Sequence, residues 1–171
     1  MLNSARWATP SESIPPRLLR AYRLTRYRAE GFDILVGRRV SDGLFARIGA
    51  RNATLVTAWN PMSRRMPQGW NGPMQRRLLE RLRRVVALPA EGTLGRWHEA
   101  MVLVLGDVRF VLRLARVFRQ RGVVTLRRGQ PARLITRLGG RGCAQPVSPH
   151  KAPRPHGPAA PRHRHRRRSY C

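Results

Sequence analysis

The stretch TLVTAWNPMSRRMPQGWN, Thr54 to Asn71, takes an apolar, β-branched run into a group of residues that can bind a ligand. Asn60 ends the run, and strand ends are where α/β sheets form ligand crevices. Asn71 stands at the start of a helical pattern, where free N–H groups and the helix dipole favour anions. Between them lie Arg64 and Arg65, whose planar forks can grip a phosphate or carboxylate. Glu99 opens the otherwise apolar run WHEAMVLVLG, and a carboxylate there can act as a base or orient a ligand. Gln120 stands at the end of a later helical pattern. Each residue also has an ordinary use. Asn60-Pro61 opens turns, Asn71 caps a helix, Glu99 can pair with an arginine, and Gln120 can satisfy a helix end. Convergence of the four at one sheet edge is what would make them a site.

Other chemistries find no support. The sequence holds no GxSxG, HExxH, P-loop or GxGxxG pattern. His98 is the only histidine before the C-terminal segment, so a histidine-based metal centre or triad is not expected in the folded part. No metal and no cofactor are expected. Cys143 and Cys171 make no disulfide framework. The N-terminal residues lack an apolar signal segment, and the longest apolar run, Ala100–Gly106, is far too short to span a membrane. The expectation is a cytoplasmic protein without a membrane partner.

Charge raises a second reading. Of 171 residues, 35 are basic and 8 acidic, a net charge of +27, and Lys151 is the only lysine. Such an excess points to an anionic partner, either a small molecule or nucleic acid. In the second case the protein would bind nucleic acid non-specifically through its arginine surface. Arg109, Arg113 and Arg116 form a stripe along one helical pattern and are the candidates for that role.

These residues need a scaffold. Residues 1–16 are polar and proline-rich and read as a flexible arm. PRLLRAYRLTRYRAE, from Pro16, reads as a helix, with proline suited to its first turn. FDILVG alternates as a strand does, and Ser41 to Gly49 bracket a short helix. ATLVTAWN and WHEAMVLVLG are apolar on both faces and read as central strands. A helix follows Asn71, with Met74, Leu78 and Leu82 on one face, and LPAEGTLG reads as a loop. Asp107 caps a helix, and residues 122–136 form a hairpin around GQP. The order α-β-α-β-α-β-α-β-β predicts one α/β or α+β domain over residues 17–138. Its single mixed sheet has about five strands with helices packed on it. Residues 139–171, rich in Arg, Pro and His and including RHRHRRR, are expected to be disordered.

The run Thr57-Ala58-Trp59-Asn60-Pro61 resembles the signature of the bacterial domain-of-unknown-function family 3293, small uncharacterised proteins with a T-A-aromatic-N-P strand end. The resemblance extends over roughly residues 17–137. Asn71 matches the family's second asparagine, Glu99 its glutamate at a strand start, and Phe118 and Gln120 its aromatic-x-glutamine helix end. Arg121 departs from the pattern, which has asparagine there. The resemblance implies a residue list and no activity. Taken together, the sequence predicts a small-ligand or anion-binding pocket at the TAWNP strand end, with Glu99 the residue a reaction would use.

Overall fold

A computed structural model describes residues 14–136. The arm, apart from residues 14–16, and the basic tail lie outside the described residues. The elements run α1 (Pro16–Leu24), β1 (Arg26–Ala29), β2 (Phe32–Ile34), α2 (Asp42–Ile48), β3 (Asn52–Val56), a 3-10 turn (Pro61–Ser63), α3 (Asn71–Leu82), β4 (Ala87–Leu94), β5 (Trp97–Leu105), α4 (Val108–Val117), β6 (Val123–Arg127) and β7 (Arg133–Ile135). The sheet has seven strands in the order β2-β1-β4-β5-β3-β6-β7, two more than the sequence suggests. All six ladders between these strands are antiparallel.

The two additional strands have separate physical causes. Arg26–Ala29 reads as the end of the first helix, but α1 stops at Leu24, where Thr25 turns extended and its hydroxyl bonds the Ala21 carbonyl. Tyr27 and Ala29 then point inward and Arg26 and Arg28 outward, a period-2 pattern too short to stand out from the helical one. Ala87–Leu94 reads as a loop because of Pro89 and Gly92. Yet Pro89 lies just past Ala90, the last residue that β1 pairs, so β4 is an edge there and tolerates proline. Gly92 sits where an added Cβ would meet Met101 Sδ at 3.2 Å and Tyr27 Cδ1 at 3.4 Å. Gly95, at φ 58°, makes the two-residue turn that returns Leu94 against Trp97.

The sheet is curled. A parallel bridge, Val36 to Ala132, ties the chain after β2 to the chain before β7, with Gly37 N–H donating to the Ala132 carbonyl at 2.8 Å. The inner face of the sheet carries Tyr27, Ile34, Leu55, Met101, Leu103 and Leu126, packed on Leu44 and Phe45 of α2. The outer face carries Val56, Val102, Val104 and Val123, packed on Leu78 and Leu82 of α3 and on Val111, Leu114 and Ala115 of α4. β3 and β5 are therefore buried on both faces, as their unbroken apolar runs predict. α4 begins as expected, with Asp107 Oδ1 accepting from Arg109 N–H at 2.8 Å.

Candidate functional site

The chain between β3 and α3 is where the polar residues gather. β3 ends at Val56, and Thr57 closes it by donating its hydroxyl to the Ala100 carbonyl of β5 at 2.8 Å. The same hydroxyl oxygen accepts from Trp59 N–H at 3.0 Å. Asn60 then takes a left-handed backbone, φ 47°, which asparagine tolerates better than most residues. Met62, Ser63 and Arg119 also lie at positive φ, so backbone strain concentrates around this loop. Two long-range bonds hold it. Met62 N–H donates to the Arg119 carbonyl at 2.7 Å, and Arg121 Nε donates to the Met62 carbonyl at 3.2 Å. Arg121, the one departure from the family pattern, thus clasps the loop.

Asn60 is buried, 4% exposed, and both its amide oxygen and its amide nitrogen are engaged. Its Nδ2 donates to Glu99 Oε1 at 2.7 Å. Its Oδ1 accepts from Met66 N–H at 3.1 Å and from Asn71 Nδ2 at 3.4 Å. Its backbone N–H donates to Asn71 Oδ1 at 3.0 Å. Asn71 therefore does not cap α3. It is the first helical residue, and its amide faces Asn60 instead of the helix N–H groups. Gln120, also buried, donates Nε2 to the carbonyls of Trp59 at 2.9 Å and Phe118 at 3.2 Å. Three elements that are distant in sequence meet here.

Asn60, Glu99 and Gln120 line one cavity of about 320 Å³ at the end of the sheet's inner face, beneath α1. Its remaining wall includes Leu18, Ala21 and Tyr22 of α1, Tyr27 of β1, Ser63, Trp97 and Met101. No arginine, lysine or histidine is among the lining residues. Arg64 and Arg65 are exposed and stand outside the lining. Arg109, Arg113 and Arg116 are exposed on α4, with Arg113 6.0 Å from the centre of the Phe110 ring. Trp59 sits edge-on to His98 at 6.2 Å, and its indole Nε1 is buried without a partner. A more open groove of about 600 Å³ lies between β3, β6 and β7 and holds none of the predicted residues.

Burial sets the electrostatics of the cavity. It pushes the Glu99 carboxyl above the ordinary carboxylate range, against the opposing pull of hydrogen bonds from Asn60 and Trp97 and the nearby His98. Burial likewise raises the Tyr22 phenol, which its hydrogen bond with Ser63 partly offsets and the Glu99 charge reinforces. Tyr27 is raised for the same leading reason, then by Tyr22. The tyrosines thus stay neutral and can donate or accept hydrogen bonds, while Glu99 is the single carboxylate on the wall.

Tyr22, Tyr27 and Ser63 are among the polar lining residues that sequence reasoning misses. The tyrosines fall inside what reads as one continuous helix. Only the break at Thr25 places them on two elements facing one space. Among the described residues no cluster of three or more His, Cys, Asp or Glu could hold a metal.

Residues 56–123 match the model of a family described as protein of unknown function (DUF3293), which bears out the resemblance read from TAWNP. The matched stretch contains Asn60, Asn71, Glu99 and Gln120 and leaves out α1 and β1, hence Tyr22 and Tyr27. No curated protein and no solved structure matches the chain.

Proposed function

We propose that the cavity beneath α1 binds a small ligand that is neutral or cationic and presents a hydrogen-bond donor to Glu99. The observation that carries this reading is the composition of the wall: one carboxylate held in place by Asn60, tyrosine hydroxyls, apolar side chains and no basic residue. The sequence alone suggests an anion here, through Arg64 and Arg65, but their exposure outside the lining argues for the opposite charge. A volume of about 320 Å³ lies at the small end of the range for ligand pockets. Asn60 donates to Glu99 Oε1 and serves to orient it. Glu99 is the group that would take a proton from the ligand, and burial, which raises its pKa, makes it a stronger base than an exposed carboxylate.

The test is a thermal-shift and ligand-observed NMR screen of small amines, polyols, nucleosides and carboxylic acids against the native chain, Ala21→Phe and Glu99→Gln. Ala21→Phe fills the cavity from α1. The expected result is binding of amines or polyols to the native chain, lost in Ala21→Phe and weakened in Glu99→Gln. Hits confined to carboxylic acids, or hits unchanged by Ala21→Phe, would reject this reading.

A further inference from the structure

The outer face of the sheet presents the opposite chemistry. α3 and the residues just after it carry Arg76, Arg77, Arg81, Arg83 and Arg84, all exposed, with Glu80 the only acid among them. α4 carries Arg109, Arg113 and Arg116 and no acid. Both helices pack on the same sheet face, so these side chains belong to one layer. None of these arginines has an ion-pair partner among the described residues.

The acids are elsewhere. Glu30, Asp33, Asp42 and Glu91 sit on or beside β1, β2, α2 and β4, and each is paired with a basic side chain. Asp107 is occupied as the α4 cap. The fold thus sorts an overall basic composition into a region around β1, β2, α2 and β4 whose charges are partly neutralised and a helical layer whose charges are not. Exposed apolar side chains stand in the layer as well. Trp70 precedes α3, Leu79 lies between Arg76 and Arg83, and Val117 follows Arg116.

We propose that the α3–α4 layer is a binding surface for nucleic acid, engaged through its phosphodiester backbone. Unpaired arginines on two helices offer planar, paired donors to phosphate oxygens. On α4 they recur along one stripe with rises of about 6 Å and 4.5 Å, at roughly 1.5 Å per residue, close enough to meet successive phosphates. Trp70 offers a ring on which an unpaired base can stack. An anionic lipid surface is the weaker fit. The exposed apolar residues are scattered among the arginines and do not form the continuous stripe that insertion into a bilayer requires. This inference is independent of the cavity, which lies beneath the other face.

The test measures binding of the full chain to a fluorescein-labelled duplex and to a single strand of arbitrary sequence over a range of salt concentrations. The native chain is compared with two triple variants, R109Q/R113Q/R116Q and R76Q/R81Q/R84Q, and with the control R28Q/R47Q. The C-terminal arginines are present in every protein and contribute equally. Each helix variant is expected to flatten the dependence of log affinity on log salt by about 2–3 for the duplex, at roughly 0.9 for each phosphate no longer neutralised. The control should match the native slope. Native-like slopes in both triple variants, an equal loss in the control, or tighter binding to phosphatidylserine vesicles than to either nucleic acid would overturn the proposal. Circular dichroism melts confirm that each variant is folded.

Discussion

Two regions of the molecule use arginine in opposite ways. Around β1, β2 and α2 acidic residues pair with Arg26, Arg28, Arg39, Arg47 and Arg128, and the lining of the cavity holds no basic side chain. Along α3 and α4 the arginines are exposed and have no ion-pair partner among the described residues. A composition of 35 basic and 8 acidic residues thus yields one nearly uncharged recess with a single carboxylate and one strongly positive layer. Net charge by itself says little about where an anionic or cationic partner would bind; the placement of the few acids decides it.

The largest expected effects test whether the faces are one cooperative unit. Leu55 points inward from β3 and Leu78 packs on the outer face from α3, both fully buried. Either residue changed to alanine should cost about 2–5 kcal/mol in urea unfolding. Because β3 and β5 carry side chains into both clusters, each variant should still unfold in a single transition seen alike by fluorescence and circular dichroism. A separate early transition in Leu78→Ala would make the arginine layer a detachable unit and weaken the comparison.

Asn60→Ala should cost less, about 1–3 kcal/mol, by stranding the groups that Asn60 now satisfies. It should also push the Glu99 carboxyl further up, since the Asn60 bond opposes the effect of burial. Carboxyl chemical shifts followed through a pH titration measure this directly. An unmoved Glu99 titration would mean that Asn60 serves the loop alone.

Glu99→Gln separates charge from shape. The folded-state pKa of Glu99 lies above its unfolded value, so the native state binds its proton more tightly. The stability this contributes is fully present below the unfolded pKa and is lost as pH rises through the folded pKa. The native protein should therefore lose melting temperature relative to Glu99→Gln across that window, with the gap widest above it. The substituted side chain keeps an acceptor for Asn60, so the comparison isolates the charge. Parallel pH profiles would show that the carboxylate is better solvated than its surroundings indicate.

The smallest effects should come from the outer arginines. Arg109→Gln, Arg113→Gln and Arg116→Gln should each change stability by no more than about 0.5 kcal/mol, as surface substitutions outside ion pairs do. Arg28→Gln, which breaks a surface pair with Asp33, should cost about 0–1 kcal/mol. A larger loss from any α4 arginine would reveal a structural role and count against the layer as a free surface.

Part of this organisation is legible in the sequence. β3 and β5 announce themselves because a strand covered on both faces must be apolar at every position. α4 does so through Asp107 and a regular apolar face, and the final hairpin through GQP. TAWNP marks the loop, where Asn60 bonds Asn71 and Glu99 while Gln120 bonds the Trp59 carbonyl beside it. Other features are hidden by the range over which sequence patterns act. β1 is four residues long, too short for alternation to outweigh the helical pattern before it. β4 contains proline and glycine, and only its neighbours make those acceptable in a strand.

Which segments must be buried can be read along the chain, because hydrophobic burial depends on local composition and period. The excess of positive charge can be read there too. Long-range packing sets the rest: Asn71 faces Asn60 instead of capping its own helix, Tyr22 and Tyr27 share a space with Glu99, and Arg64 and Arg65 stay outside it. Those outcomes depend on side chains tens of residues apart coming within about 3 Å, the range of a hydrogen bond. The curl of the sheet and the break at Thr25 bring that about, and neither is written in any one stretch of the chain.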